Sequence, residues 1–136
     1  MDAAYEQCQK IELTVPADRR MMIVIRLTTS GVVARAGLTL DAVEDLKMAV
    51  EEACVCLIRH SNCAFVRLSY CIGDGEVSVS VRGEGCGATD RVCPHSGEEI
   101  EIIRCILESM ADGVSITERN GCIEAIEMRK SLPVIG

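Results

Sequence analysis

The stretch AVEEACVCLIRH, residues 49–60, decides the fold of this chain because it completes the longest helical pattern in the sequence. Apolar residues recur at steps of three and four from Thr39 to His60, which predicts a helix with one buried face. This stripe consists of Val43, Leu46, Val50, Ala53 and Leu57. Acidic residues gather near the start, and Arg59 and His60 stand at the end, as the helix dipole favours. We therefore place a long amphipathic helix over residues 39–60.

Two further elements are predicted before this helix. The segment KIELTVPA, residues 10–17, alternates apolar and polar side chains, which indicates a half-buried strand that ends at Pro16. Asp18 then suits the N-cap of a helix that continues to Gly37, where glycine favours a stop. The β-branched residues of this segment leave a strand over residues 21–29 as the alternative.

Two hairpins are predicted after the long helix. The strands AFVRLSYCI, residues 64–72, and EVSVSVR, residues 76–82, are separated by Gly-Asp-Gly. The strands GVSITER, residues 113–119, and CIEAIEMRK, residues 122–130, flank Asn-Gly. Both connections are typical of tight β-turns.

A glycine-rich loop, residues 83–97, and a helix, residues 98–111, lie between the hairpins. Ser96 and Glu99 have the spacing of a capping box at the start of this helix. The order β-α-α-β-β-α-β-β predicts an α+β fold, a two-layer α/β sandwich. Its sheet is expected to be mixed but mostly antiparallel, with the helices on one face.

Composition restricts the function. The chain of 136 residues fits one domain, and 49% hydrophobic but only 2% aromatic residues predict an aliphatic core. A net charge of −7 disfavours non-specific binding of nucleic acid. We find no signal-peptide pattern and no apolar run near the ~20 residues that span a bilayer, so we expect a cytoplasmic protein. The nine cysteines, an odd number, predict mostly reduced thiols rather than a disulfide framework.

The order of elements and five separate stretches resemble the anti-sigma-factor serine/threonine kinases of bacterial sporulation and stress control. The stretches are IELTVPA (11–17), IRLTTSGVVARAG (25–37), EDLKMAVEEAC (44–54), RGEGCGATD (82–90) and ESMADGVSI (108–116). The resemblance implies the Bergerat fold of histidine-kinase-like ATPases, with residues 1–136 forming one such domain of anti-sigma factor type. It also implies a sigma factor and a STAS-type anti-anti-sigma protein as partners, with a homodimer left open and no nucleic-acid or membrane partner.

In that family, the long helix carries a glutamate that acts as general base and, four residues later, an asparagine that binds Mg²⁺. This spacing puts both side chains on one face of a helix. Glu52 keeps the first position here, but Cys56 occupies the second. A thiol is a poor ligand for Mg²⁺, which prefers oxygen. Glu52 has two interpretations: a solvated acidic residue, or a catalytic base if the protein is active.

The family's Asp-x-Gly-x-Gly motif, which binds adenine, is altered as well. Gly85 and Gly87 match its glycines, but Gly83 occupies the position of the aspartate. Losing a buried charged acceptor costs about 1.5–3 kcal/mol of adenine recognition. The three glycines have a simpler interpretation as a flexible turn.

The family's phosphate-binding Gly-x-Gly is reduced to Gly97, which is followed by Glu98, Glu99 and Glu101. Carboxylates there suit the helix dipole but repel a triphosphate. The family's closing Gly-Thr pair is also changed, because Cys122 follows the glycine.

These changes predict a degenerate member of the family: a regulatory binding protein that needs no cofactor and no metal. The alternative is an active serine/threonine kinase, using ATP and Mg²⁺, that phosphorylates its antagonist with Glu52 as base. A third hypothesis is a thiol or zinc sensor built from Cys86, Cys93 and His95, although their spacing matches no strong zinc motif.

Overall fold

The structure, a computed structural model, describes residues 9–60, 63–73, 75–85, 97–119 and 121–133. Its elements are β1 (Gln9–Pro16), a short 3-10 helix (Arg19–Met21), α1 (Met22–Ala34), α2 (Leu40–His60), β2 (Phe65–Gly73), β3 (Glu76–Glu84), α3 (Gly97–Glu108), β4 (Gly113–Arg119) and β5 (Cys122–Ser131). The predicted order of strands and helices is therefore confirmed.

The five strands form one sheet in the order β1-β2-β3-β5-β4. Each pair of neighbouring strands in the described part of the chain is antiparallel, so the sheet is not mixed. Period-two alternation explains its two faces, because every second side chain of a strand points the same way. Leu68 lies opposite Val81 and Tyr70 opposite Val79, and all four are fully buried. The α+β class with a helix-covered sheet is confirmed.

Helix α2 provides the centre of the core. Four of the five residues in its predicted stripe are no more than 1% exposed, and only Val43, near the start, is partly buried. The other face of the sheet is polar: Arg67 of β2 forms ion pairs with Glu12 of β1 and Glu84 of β3. Helices and apolar residues therefore share one face of the sheet, and charged side chains occupy the other.

Helix α1 begins slightly later than predicted. Asp18 does act as a cap, because its carboxylate accepts a hydrogen bond of 2.9 Å from the backbone N–H of Arg20. It caps the 3-10 helix, however, and the α-helix itself begins at Met22. The alternative of a strand over residues 21–29 is wrong, since the buried residues recur at helical steps. Gly37, with a φ of +87°, follows the helix in a conformation that favours glycine.

Strand β3 is longer than predicted, which corrects the start of the glycine-rich loop. Gly83 and Glu84 belong to the strand, and Gly83 is buried opposite Val66. Backbone pairing with β2 overrides the weak strand preference of glycine. Gly85 follows with a φ of +67°, and a Cβ atom there would lie 3.2 Å from the Cβ of Ala64. The predicted loop residues Cys86, Gly87, Cys93, His95 and Ser96 lie outside the described residues.

The expectation of mostly reduced cysteines fails at two positions. Cys71 of β2 and Cys122 of β5 are disulfide-bonded, which a count of cysteines in the sequence does not reveal. Both are only partly buried, unlike Cys54 of α2, which is fully buried in the apolar core as predicted. No helix in the described part of the chain has the length and apolar character needed to cross a membrane.

Helix α1 is attached to the sheet by a buried polar contact. Tyr70 of β2 is fully buried, and its hydroxyl shares a hydrogen bond of 2.7 Å with the hydroxyl of Thr29. We predict that Tyr70→Phe lowers the free energy of unfolding by about 1–2 kcal/mol, because it leaves a buried hydroxyl without this bond. Urea denaturation monitored by circular dichroism measures the change.

The double variant Thr29→Val/Tyr70→Phe provides the control. Its loss of stability should be smaller than the sum of the two single losses, because the partners are removed together. Additive losses would show that the two hydroxyls do not stabilise each other.

Candidate functional site

A cleft of about 120 Å³ separates α2 from α3. Its lining residues are Glu52, Val55, Cys56, Arg59, Ile103, Ile106 and Leu107. Glu52, Cys56 and Arg59 lie four and three residues apart on α2, so the helix presents all three on one side. The structure therefore brings together Glu52 and Cys56, the two positions for which the sequence predicted a shared face.

Cys56 lies at the boundary between the core and the cleft. Its side chain is 7% exposed. Burial, and to a smaller extent the nearby carboxylate of Glu52, raises the pKa of the Cys56 thiol to about 11. The thiol is therefore protonated at neutral pH, when it offers neither the charge nor the oxygen atom that Mg²⁺ prefers. Glu52 and Arg59, by contrast, are exposed at the rim of the cleft.

Helix α3 provides an aliphatic wall. Ile103, Ile106 and Leu107 all line the cleft, and Val55 faces them from α2. These four side chains have no hydrogen-bonding group. A volume of about 120 Å³ also falls below the roughly 300–1,000 Å³ that is typical of pockets for drug-sized ligands. The cleft is therefore small, and its described walls are mostly apolar.

The first turn of α3 carries negative charge. Gly97 begins the helix, and Glu98 and Glu99 follow in its first turn. Glu101 is also exposed and lies 3.6 Å from Arg104 in an ion pair. Carboxylates at a helix N-terminus stabilise the helix through its dipole, but they oppose binding of phosphate at the same place. A Cβ atom at Gly97 would meet no atom within 4 Å, so packing does not require glycine there.

The predicted glycine positions are not part of this cleft's described lining. Gly83 is buried within β3 and Gly85 follows it, whereas Gly97 starts α3. Gly87 lies outside the described residues. The described part of the chain also holds no cluster of three or more His, Cys, Asp or Glu side chains suited to a metal ion.

Sequence reasoning missed Arg59 and the isoleucines of α3 as residues of the cleft. Arg59 follows Glu52 by seven residues, a spacing that returns to the same helical face and is visible in the sequence. The aliphatic residues of α3, in contrast, resemble an ordinary buried stripe. Only their packing beside α2 shows that they form a wall of the cleft.

A second groove, of about 270 Å³, lies between α1 and α2. Arg26 of α1 spans it and donates two hydrogen bonds, of 2.9 and 2.8 Å, to the carboxylate of Glu51 on α2. This contact lowers the pKa of Glu51 and raises that of Arg26. Ile23 and Leu27 lie beside Arg26 on α1 and are 56% and 67% exposed. We call Ile23, Arg26 and Leu27, all on α1, the α1 surface.

Comparison with known proteins identifies the class to which the chain belongs. The model of the histidine kinase-like ATPase domain matches residues 15–130, and the chain belongs to that family. Within it, the chain is similar to serine-protein kinases named RsbW. It is 29% identical to the RsbW of Halalkalibacterium halodurans over 131 residues, which cover 95% of this chain and 81% of the relative. It is also 29% identical to the RsbW of Staphylococcus aureus over 128 residues, which cover 82% of this chain and 80% of the relative.

A solved structure has the same fold. The crystal structure of the RsbU and RsbW domains of Rv1364c from Mycobacterium tuberculosis aligns with a TM-score of 0.70 over 91% of this chain. The sequences are 15% identical there, and the match spans 32% of that longer chain. The resemblance predicted from the sequence is therefore confirmed at the level of family and fold.

The raised pKa of Cys56 predicts slow alkylation. At pH 8 a thiol with a pKa of about 11 is roughly one-thousandth ionised, and the thiolate is the reactive form. We expect iodoacetamide to modify exposed Cys105 of α3 much faster than Cys56 in the folded protein. Timed quenching followed by peptide mass spectrometry measures both rates.

Glu52→Gln provides the matched variant for this measurement. It removes the charge that helps to raise the pKa of the Cys56 thiol, so alkylation of Cys56 should become faster while Cys105 is unaffected. Equal rates at Cys56 and Cys105 in the native protein would contradict the buried, protonated thiol.

Proposed function

We propose that this chain is a cytoplasmic regulatory protein of the anti-sigma type that binds protein partners without using ATP. Its partners in this proposal are a sigma factor and a STAS-type anti-anti-sigma protein. The whole chain, residues 1–136, acts as one domain of this class. The observation that carries the proposal is the buried, protonated thiol of Cys56 at the wall of the α2–α3 cleft.

The residues at the positions of the family's nucleotide motifs support the loss of nucleotide binding. A neutral thiol at position 56 replaces an oxygen donor for Mg²⁺, and no charged acceptor for adenine exists at Gly83. Losing a hydrogen bond to a charged group costs about 1.5–3 kcal/mol, or roughly ten- to a hundredfold in affinity. The carboxylates of Glu98 and Glu99 in the first turn of α3 oppose a triphosphate further. The residues present therefore do not fit magnesium-bound ATP.

The α1 surface supports retained protein binding. Ile23 and Leu27 expose large aliphatic side chains on either side of Arg26. Arginine is enriched at protein interfaces, and neighbouring exposed apolar side chains often mark them. The bidentate pair of Arg26 with Glu51 holds the guanidinium group in a fixed orientation, where a partner's carboxylate competes with Glu51 for it. In the alternative arrangement, the same residues form the interface of a homodimer.

One observation favours an active kinase as the second candidate. Glu52 is exposed at the rim of the cleft, where a general base would be needed. Arg59 lies on the same side of α2, and its guanidinium group suits a phosphate. In this alternative the chain would transfer phosphate from ATP to a serine or threonine of its antagonist.

Titration of the protein with MgATP separates the two candidates. We expect binding in the millimolar range or none by isothermal titration calorimetry. The variant Cys56→Asn/Gly83→Asp restores an oxygen ligand and a charged acceptor, so its affinity should be at least tenfold higher. Because Gly83 is buried, circular dichroism must first show that the variant is folded.

The matched control is Cys105→Asn, the same substitution at an exposed position of α3 that does not line the cleft. It should leave the weak affinity unchanged. Micromolar binding of MgATP by the unmodified protein would contradict the proposed function and favour the kinase.

A further inference from the structure

Two isoleucines of α3 are exposed beside the α2–α3 cleft. Ile102 is 59% exposed and Ile106, four residues later, is 43% exposed. Ile106 also lines the cleft, together with Ile103 and Val55. The exposed isoleucines thus continue the apolar wall of the cleft onto the surface. Contiguous apolar surface of this kind marks interaction sites more often than isolated exposed side chains do.

The size of the cleft suits a side chain. Its volume of about 120 Å³ is close to the roughly 150 Å³ of an engineered apolar cavity that binds benzene. One aliphatic or aromatic side chain therefore fills it. The aliphatic wall of α3, faced by Val55 of α2, borders a groove of the kind that an amphipathic helix uses for docking.

The charges around the groove identify the kind of helix. Glu98 and Glu99 are exposed in the first turn of α3 and lie four and three residues before Ile102, on the same side of the helix. Glu52 adds a further exposed carboxylate on α2, and Arg59 is the basic residue of the lining. Among the described residues, three exposed carboxylates and one guanidinium group therefore border the groove. They attract lysine and arginine and repel acidic segments.

We propose that the α2–α3 cleft is a docking groove for a basic amphipathic helix of a protein partner. The helix inserts one apolar side chain beside Ile103 and Ile106 and places its basic residues beside Glu98 and Glu99. The proposal rests on the proposed function, because a nucleotide held in the cleft would exclude the helix. A second copy of this chain fits less well, since its net charge of −7 puts like charges at the contact.

A synthetic peptide tests the groove directly. The probe is a fluorescein-labelled helix of about 18 residues, five turns, with leucine on one face and lysine on the other. Fluorescence anisotropy at moderate salt measures its affinity for the full-length protein. We expect Ile106→Asp to weaken binding at least tenfold, and Ile102→Asp to weaken it as well. A peptide with glutamate in place of lysine should not bind.

Leu40→Asp is the matched control. Leu40 is 79% exposed at the first position of α2, where aspartate suits the helix dipole, and it lies outside both grooves' linings. Its affinity for the peptide should stay within twofold of the unmodified protein. Circular dichroism of each variant separates lost binding from lost folding, and the two isoleucine variants provide independent tests.

Three results would overturn the proposal in distinguishable ways. If both isoleucine variants bind the peptide with the same affinity as Leu40→Asp, the groove is not the docking site. The proposed function is unaffected by that result, provided that MgATP does not bind. If MgATP binds at micromolar affinity and leaves the peptide bound, both proposals fail. If Ile106→Asp converts a dimer into a monomer in analytical ultracentrifugation, the occupant is a second copy of the chain.

Discussion

The burial of one face of α2 against the sheet determines the rest of this structure. Leu46, Val50, Ala53 and Leu57 are fully or almost fully buried, and each large side chain contributes about 1.5–3 kcal/mol through its removal from water. A sequence with 2% aromatic residues depends on this aliphatic contact for its core. Because the buried stripe fixes the rotation of α2, it also fixes which residues face α3.

The same rotation places Cys56, which in our proposal occupies the position of the family's metal ligand, at the boundary between the core and the cleft. Cys56 precedes the fully buried Leu57 and borders the cleft with only 7% exposure. A cysteine satisfies the packing requirement at such a boundary, since it behaves as a small apolar residue. An asparagine would satisfy it only with a partner for its amide. In our account, the packing at position 56 accepts a thiol, but binding of Mg²⁺ does not. Membership of the family therefore does not establish activity, which depends on the residues of the site.

Local patterns predicted most of the fold. The limits of α2 differ from the predicted range by one residue, and both hairpins form where their turn residues indicated. Helical and strand periodicities carry this information because they reflect a single buried face. The end of β3 was missed, since pairing between Gly83 and Val66 depends on the neighbouring strand. The disulfide bonds of Cys71 and Cys122 were missed for the same reason: they depend on distance in space.

The site was only partly predictable. The shared face of Glu52 and Cys56 followed from their spacing, whereas the aliphatic wall of α3 and the Arg26–Glu51 pair required the packing of separate helices. Crystals grown with Mg²⁺ and a non-hydrolysable ATP analogue test the central claim most directly, namely that a buried thiol at position 56 cannot hold a magnesium nucleotide. Our account predicts a cleft without ordered nucleotide or cation. An ordered purine with a Mg²⁺ ion beside Cys56 and Glu52 would contradict it.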